Sequence, residues 1–301
     1  MTLPSTIHSP RLRTVFFALC WLLAAVWQSP AHAQDCVVDS PSTVVLPFYD
    51  PTSAPAAVAW QIRLRGIRGC EAHLQIENLD APGRVALEGG SSGDRLQASL
   101  STQATGGTPA PPAPSETGTF RLAAGQETTL VLWLRADATQ WSGAGLYQRP
   151  LVVRIVRANG ETLDYRETRI VSSVRATARA RFGAVSDTGS GGSSVARLDF
   201  GELQQGAQRS ATLEVLANTA HTLSLTSTGR ARLVNRQNPT SSITWNLRIN
   251  GRPVALASGN TVLPFESRGR IRYQFEAQIG PVERVSAGDY ADDLLITITA
   301  Q

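Results

Sequence analysis

No lysine occurs in the 301 residues, so all 28 basic side chains are arginine. That excludes a Walker-type phosphate loop, whose lysine reaches the phosphates, and any lysine nucleophile. Charge of either sign is in short excess, +4 overall. Nucleic-acid binding leaves a clustered basic footprint, so no such partner is expected. Histidine is almost as scarce: outside the first 33 residues only His73 and His221 remain. Neither a His-x-x-x-His pair nor an acidic cluster accompanies them, so no metal and no cofactor is expected. No apolar run reaches the roughly 20 residues that a membrane-spanning helix needs. A sustained 3.6-residue period is also missing, which removes amphipathic helices from the fold.

The N-terminus sets the compartment. Arg11 and Arg13 precede an apolar stretch, Val15 to Val26, and Pro30-Ala31-His32-Ala33 then places small residues at the two positions a signal peptidase reads. The pattern predicts a secretory signal peptide over 1–33, cleaved after Ala33. Gln34 and Asp35 directly before Cys36 argue against a lipid anchor there. Removal of Arg11 and Arg13, with no acid lost, lowers the charge from +4 to +2. Two of the three cysteines, Cys36 and Cys70, survive export. In an oxidising compartment an even pair reads as a disulfide. A metal site is the rival, but neither cysteine has a second ligand at zinc-like spacing. The bridge would close a loop of roughly 35 residues and contribute about 3–4 kcal/mol in the chain-entropy picture.

The remaining chain, long enough for two domains, alternates apolar and polar residues. Trp60 to Arg65, Ala72 to Ile76, Thr129 to Leu134, Leu151 to Val156, Leu213 to Leu216, Leu223 to Leu225, Ile243 to Ile249 and Leu294 to Ile298 all do so. Bounded by Gly, Pro, Asn and Ser, such runs are half-buried strands. The expected fold is all-β, two immunoglobulin-like β-sandwich domains in tandem over 34–173 and 174–301. Ser101 to Gly118, with Pro109, Pro111, Pro112 and Pro114, reads as a long exposed loop. Asp187 to Ser194 is a flexible Gly/Ser tract, either an interdomain linker or a loop of a second domain whose first strand is Val174 to Phe182.

An internal repeat supports two related domains. Gly145-Leu146-Tyr147 is followed by Leu151, Val153 and Ile155 at +4, +6 and +8 from the tyrosine, and Gly288-Asp289-Tyr290 by Leu294, Ile296 and Ile298 at the same offsets. Beyond the repeat the halves diverge. The first continues into Asn159-Gly160, a two-residue hairpin signal, and a further strand, Thr162 to Ile170, that can close the sheet. The second ends at Gln301, three residues past Ile298, and so is expected to lack its final strand. Leu294 to Thr299 carries no charge, proline or bulge, the usual protections of an edge. The edge is therefore a candidate site for a strand from another polypeptide, with an ordinary terminal edge strand as the alternative.

These residues resemble a family. Gly288-Asp289-Tyr290-Ala291-Asp292-Asp293-Leu294 and its Thr/Ile-rich tail look like the terminal signature of spore coat protein U-type domains, the pilin domains of archaic, Csu-type chaperone–usher pili. Cys36, Phe48-Tyr49-Asp50-Pro51, Cys70, Trp141-Ser142-Gly143 and Leu198-Asp199-Phe200-Gly201-Glu202-Leu203 resemble other elements of the family in the same order. The second domain departs from it in lacking a disulfide, and only Gln34 and Asp35 precede Cys36, too few for a donor strand. The resemblance implies a non-enzymatic, two-domain subunit that accepts a strand without giving one, placed at the fibre tip as an adhesin. Its partners would be a periplasmic chaperone, an outer-membrane usher, a neighbouring pilin, and a host or abiotic surface. Leu294, Ile296 and Ile298, with Tyr290, Phe182, Leu198 and Phe200, would line the accepting groove, against a first strand around Thr177 to Val185. Trp141 is a candidate surface contact, while Trp60 alternates with Ile62 and Leu64 and reads as core.

Catalytic patterns dissolve on inspection. Gly89-Gly90-Ser91-Ser92-Gly93 matches the nucleophile-elbow spacing, but no helix follows it. Asp292 and Asp293, as neighbours in a strand, point to opposite faces and cannot flank one glycosidic bond; they are expected to keep the strand start soluble. His73 falls in a strand and His221 in a turn-like context, both structural. The remaining alternative is a free-standing secreted β-sandwich that binds carbohydrate or protein.

Overall fold

The structure is a computed structural model and describes residues 35–89, 93–103, 117–183 and 195–301. The expected signal peptide, Ser91, most of the proline-rich loop and the Gly/Ser tract lie outside the described residues. Among those described the chain is all strand and turn.

Ten strands build the first domain: β1 (Cys36–Asp39), β2 (Thr43–Val45), β3 (Ala57–Gly66), β4 (Cys70–Glu77), β5 (Arg84–Gly89), β6 (Asp94–Ser101), β7 (Thr117–Leu122), β8 (Glu127–Ala136), β9 (Gly145–Val156) and β10 (Thr162–Val174). Gly118, expected in the loop, is thus already in β7, because Thr117 to Leu122 pairs with β4. The pairing order β1-β3-β8-β6-β5-β9-β10-β2, with β4 joining β7 and β9, folds one sheet over itself. β5 makes the turn between layers, pairing along β6 and touching β9 only at Glu88 and Gly89. Period-two alternation puts Trp60, Ile62 and Leu64 of β3 and Leu74 and Ile76 of β4 into one core with Leu132 and Leu134 of β8. Trp60 is fully buried, and its indole N–H donates to Ser40 Oγ at 3.0 Å. The disulfide forms as expected, Cys36 to Cys70 with Cα atoms 5.9 Å apart, and staples β1 to β4.

β9 and β10 are joined by five residues, Arg157 to Glu161, whose turn encloses three, Ala158-Asn159-Gly160, rather than the two expected. Arg157 N–H donates to Glu161 O at 2.9 Å, Gly160 N–H closes a turn onto Arg157 O, and Gly160 takes φ 84°. Asn159 is spent differently: its Oδ1 accepts from Glu161 N–H at 3.0 Å. The glycine alone occupies the left-handed position that the longer turn requires. β10 then pairs with β9 from Thr162 to Val174, antiparallel, and takes β2 on its other side, parallel. The strand runs through Val174, so the division expected at 173/174 falls one residue inside β10.

Three residues later the second domain starts. Its strands are β11 (Ala178–Phe182), β12 (Gln208–Ala217), β13 (His221–Ser227), β14 (Arg232–Asn235), β15 (Ser242–Ile249), β16 (Arg252–Val254), β17 (Asn260–Phe265), β18 (Gly269–Ile279), β19 (Tyr290–Ala291) and β20 (Leu294–Ala300). One layer is ordered β11-β12-β18-β15-β14-β19, with β16 on β15; the other is only β17-β13-β20. Leu213, Val215, Leu223, Leu225, Trp245 and Phe275 are among the core residues between them. His221 opens β13 and is fully buried, not in a turn: its ring stacks on Phe265 and its Nε2 shares a hydrogen bond of 2.8 Å with Tyr273 Oη.

Candidate strand-acceptor groove

The repeat read from sequence is a repeat in space. Gly145 and Gly288 both have φ in the region that side chains disfavour, 137° and 147°. At Gly288 a Cβ would also lie 2.6 Å from Asn235 Nδ2. Two residues on, each tyrosine hydroxyl donates to the carbonyl four residues upstream: Tyr147 to Gly143 at 2.7 Å and Tyr290 to Ser286 at 2.5 Å. This is a tyrosine corner, a device of Greek-key sandwiches, and it places β9 and β20 at one structural position in the two domains.

Their surroundings differ. β9 has β4 on one side and β10 on the other, and Leu151, Val153 and Ile155 are fully buried. Among the described residues β20 pairs with β13 alone. Leu294, Ile296 and Ile298 point into the core cluster yet stay half-buried, alternating with exposed Leu295, Thr297 and Thr299. The counterpart of β1 across the opening is β11, which among the described residues pairs with β12 only. β11 and β20 come near each other at this opening, as β1 and β9 do in the first domain.

Every residue expected to line this groove packs partly buried on the second core: Phe182, Leu198, Phe200, Tyr290, Leu294, Ile296 and Ile298. They do not all stand together on its walls. Ala178, Ala180 and Phe182 alternate along β11, with Phe182 edge-on to Phe275 at 6.2 Å. Leu198 and Phe200 belong to a non-strand segment after β11, tied to the start of β12 by Arg209, which donates to Asp199 O at 2.9 Å and lies over the Phe200 ring. Of the expected first strand Thr177 to Val185, β11 covers Ala178–Phe182, and Val185 is outside the described residues.

Asp292 has a larger part than solubility. Its carboxylate accepts from Ser227 Oγ (2.6 Å), Thr228 Oγ1 (3.0 Å), Gly229 N–H (2.7 Å) and the Trp245 indole N–H (2.8 Å). One acid thus fixes the entry of β20 against the end of β13 and against β15. Neighbouring Asp293 contributes its backbone, whose carbonyl accepts from Thr228 N–H at 3.0 Å. Asp292 is thus engaged through its side chain and Asp293 through its backbone.

Trp141, the candidate surface contact, is half-buried at the junction of the domains. With Asp94, Arg95, Ser142, Ala217, Arg268 and Gly269 it lines a cavity of about 410 Å³, and Arg179 of β11 lies over its ring at 5.9 Å. Around it Arg268 forks onto Asp94. Asn218 donates to Ser142 O (3.1 Å) and Arg175 O (2.8 Å) while accepting from Thr177 N–H (2.8 Å). His73 is on β4 beside Gln75. Among the described residues no group of three or more His, Cys, Asp and Glu side chains could hold a metal ion, and no helix is long and apolar enough to cross a membrane.

No protein-family description matches the chain, and no curated protein matches it. Solved structures do. One is a chaperone–tip adhesion subunit pre-assembly complex from archaic chaperone–usher Csu pili of Acinetobacter baumannii, with 14% identity and a TM-score of 0.43 over 87% of this chain and 99% of that one. Another is CfaE, the adhesive subunit of CFA/I fimbria of enterotoxigenic Escherichia coli, at 12% identity and a TM-score of 0.44 over 87% and 93%. A third is a PapD-like domain of human CEP192, at 11% identity and a TM-score of 0.29 over 58% and 97%.

Proposed function

We propose that this chain is a non-enzymatic subunit of a chaperone–usher surface fibre, standing at its tip, with the second domain accepting a strand and the first meeting a host or abiotic surface. The observation that supports the reading is the state of β20. Its inward side chains are those of a core strand, and its outer edge has no partner among the described residues. An unpaired apolar edge beside a half-exposed core is a template for β-augmentation. A periplasmic chaperone would fill it during export and a neighbouring pilin's segment afterwards, delivered at an outer-membrane usher.

The test is thermal unfolding of the chain from Gln34 onwards, alone and with a donor strand of alternating apolar residues fused after Gln301. A second-domain transition that rises by roughly 10–20 °C is expected, several kcal/mol at about 3–6 °C per kcal/mol for a domain of this size. Equal transitions in the two forms would sink the strand-acceptor reading and favour the free-standing binding module.

A further inference from the structure

Strand alternation on β11, β12 and β18 turns Ala180, Phe182, Leu213, Val215, Ile271 and Tyr273 toward the second core. The residues between them face the other way, and these include Arg179, Arg181, Glu214, Arg270 and Arg272. Arg181, Glu214 and Arg272 stand side by side in one cross-strand row. The Glu214 side chain is only 3% exposed although it faces outwards, with Arg270 Nη1 at 3.3 Å and Arg272 Nε at 3.6 Å from its carboxylate. One acid among Arg181, Arg270 and Arg272 leaves this part of the face with excess positive charge. A guanidinium is a planar fork of five N–H donors, and a single carboxylate cannot fill three of them.

The arginine face runs into the cavity at the domain junction. Ala217 and Gly269, the chain neighbours of Leu216 and Arg270, belong to its lining together with Trp141, Ser142, Arg95, Asp94 and Arg268. Inside the cavity charge is matched: Arg268 forks onto Asp94, and Arg95 stands 3.6 Å from Glu88. Arg179 is buried, lies over the Trp141 ring and donates to Thr52 O at 3.4 Å. The volume of about 410 Å³ falls among small-molecule sites, roughly 300–1,000 Å³. An indole wall beside a hydroxyl, a carboxylate and guanidiniums suits a sugar ring, which offers apolar C–H faces and hydroxyls together.

We infer that this surface binds an acidic polysaccharide, with one sugar ring in the cavity beside Trp141 and the carboxylates of neighbouring sugars on Arg270, Arg272 and Arg181. The guanidinium fork matches a carboxylate in two bonds. An acidic peptide would use the arginines and leave the cavity without a role. The inference goes beyond the strand-acceptor reading, since these arginines turn away from the groove, and its test does not depend on that reading.

Polygalacturonate, polyglutamate of matched length and neutral dextran are titrated onto the chain from Gln34 onwards, with binding read by calorimetry at low salt. Polygalacturonate is expected to bind about 10-fold tighter than polyglutamate, and dextran not to bind. Arg270→Gln with Arg272→Gln should weaken polygalacturonate by about 10-fold or more. Arg63→Gln with Arg65→Gln, an equal loss of charge from exposed positions on β3, should leave it unchanged. Trp141→Ala, its fold checked by circular dichroism, should weaken polygalacturonate and spare polyglutamate. The comparison of the two polyanions on the unaltered chain carries the test even where Trp141→Ala misfolds. Equal binding of the two polyanions, equal loss in the two double variants, or no binding of polygalacturonate would each overturn the inference.

Discussion

Leu151, Val153 and Ile155 in one domain and Leu294, Ile296 and Ile298 in the other are the same three positions after the same glycine and tyrosine corner. In the first domain they are sealed under β10; in the second they are half-open. The sequence of a strand therefore does not tell whether it is finished. Both strands carry the apolar alternation of a core element, and only the neighbour differs. Among the described residues the two strands differ in their neighbours and not in the residue types they carry.

The comparison breaks most sharply under a charge. Val153→Asp puts a carboxylate where no water reaches and is expected to unfold the first domain outright, at a cost of about 4–5 kcal/mol or more. Ile296→Asp at the matching position can keep its carboxylate near solvent. The chain should then stay as folded as before, yet no longer co-purify with a strand-donating chaperone or gain stability from a fused donor. Equal destabilisation by the two substitutions, measured by denaturant unfolding without any donor, would mean that β20 is as enclosed as β9.

A second asymmetry is covalent. Only the first domain has a staple, joining β1 to β4 across 34 residues. Replacing Cys36 and Cys70 by serine should lower the first-domain transition by about 3–4 kcal/mol and leave that of the second unchanged. A parallel fall in both would show that the domains unfold as one unit.

The smallest effect is one of pH and belongs to the second domain. Burial pushes the His221 imidazole below its ordinary pKa of 6.5. The unfolded chain therefore takes up the proton first, and stability, fully present above about pH 6.5, falls as the pH drops below it. The slope approaches about 1.4 kcal/mol per pH unit for one proton. His221→Gln should flatten this dependence between pH 7 and 5 for the second transition. A slope unchanged by the substitution would assign the acid sensitivity to other groups.

Much of this architecture was legible in the sequence because it is periodic or local. Alternation marks the strands, and the Gly-x-Tyr offsets align β9 with β20. Cys36 and Cys70, the two cysteines outside the first 33 residues, pair with each other. What escaped were residues whose partners are far along the chain. Asp292 reads as one half of an exposed acidic pair until the turn at Ser227 to Gly229 and Trp245 are brought to it. His221 sits next to turn residues in sequence, but its environment is made by Phe265 and Tyr273. Trp141 has no periodic partner at all, since its neighbours Arg179 and Arg268 come from the other domain. Pairings this distant leave no imprint on spacing.

The passage from one domain to the other has a mechanical meaning. β10 ends at Val174 and β11 begins at Ala178, so the closing strand of the first domain continues, after three residues, as a wall of the second domain's opening. Tension applied at that opening enters the first domain along the axis of β10. There it meets a ladder to β9 that extends the whole length of the strand, with β2 flanking the other side. Pulled in this direction the hydrogen bonds are sheared together and share the load; none is peeled open ahead of the next. The first domain is thus gripped by the strand least able to be unzipped.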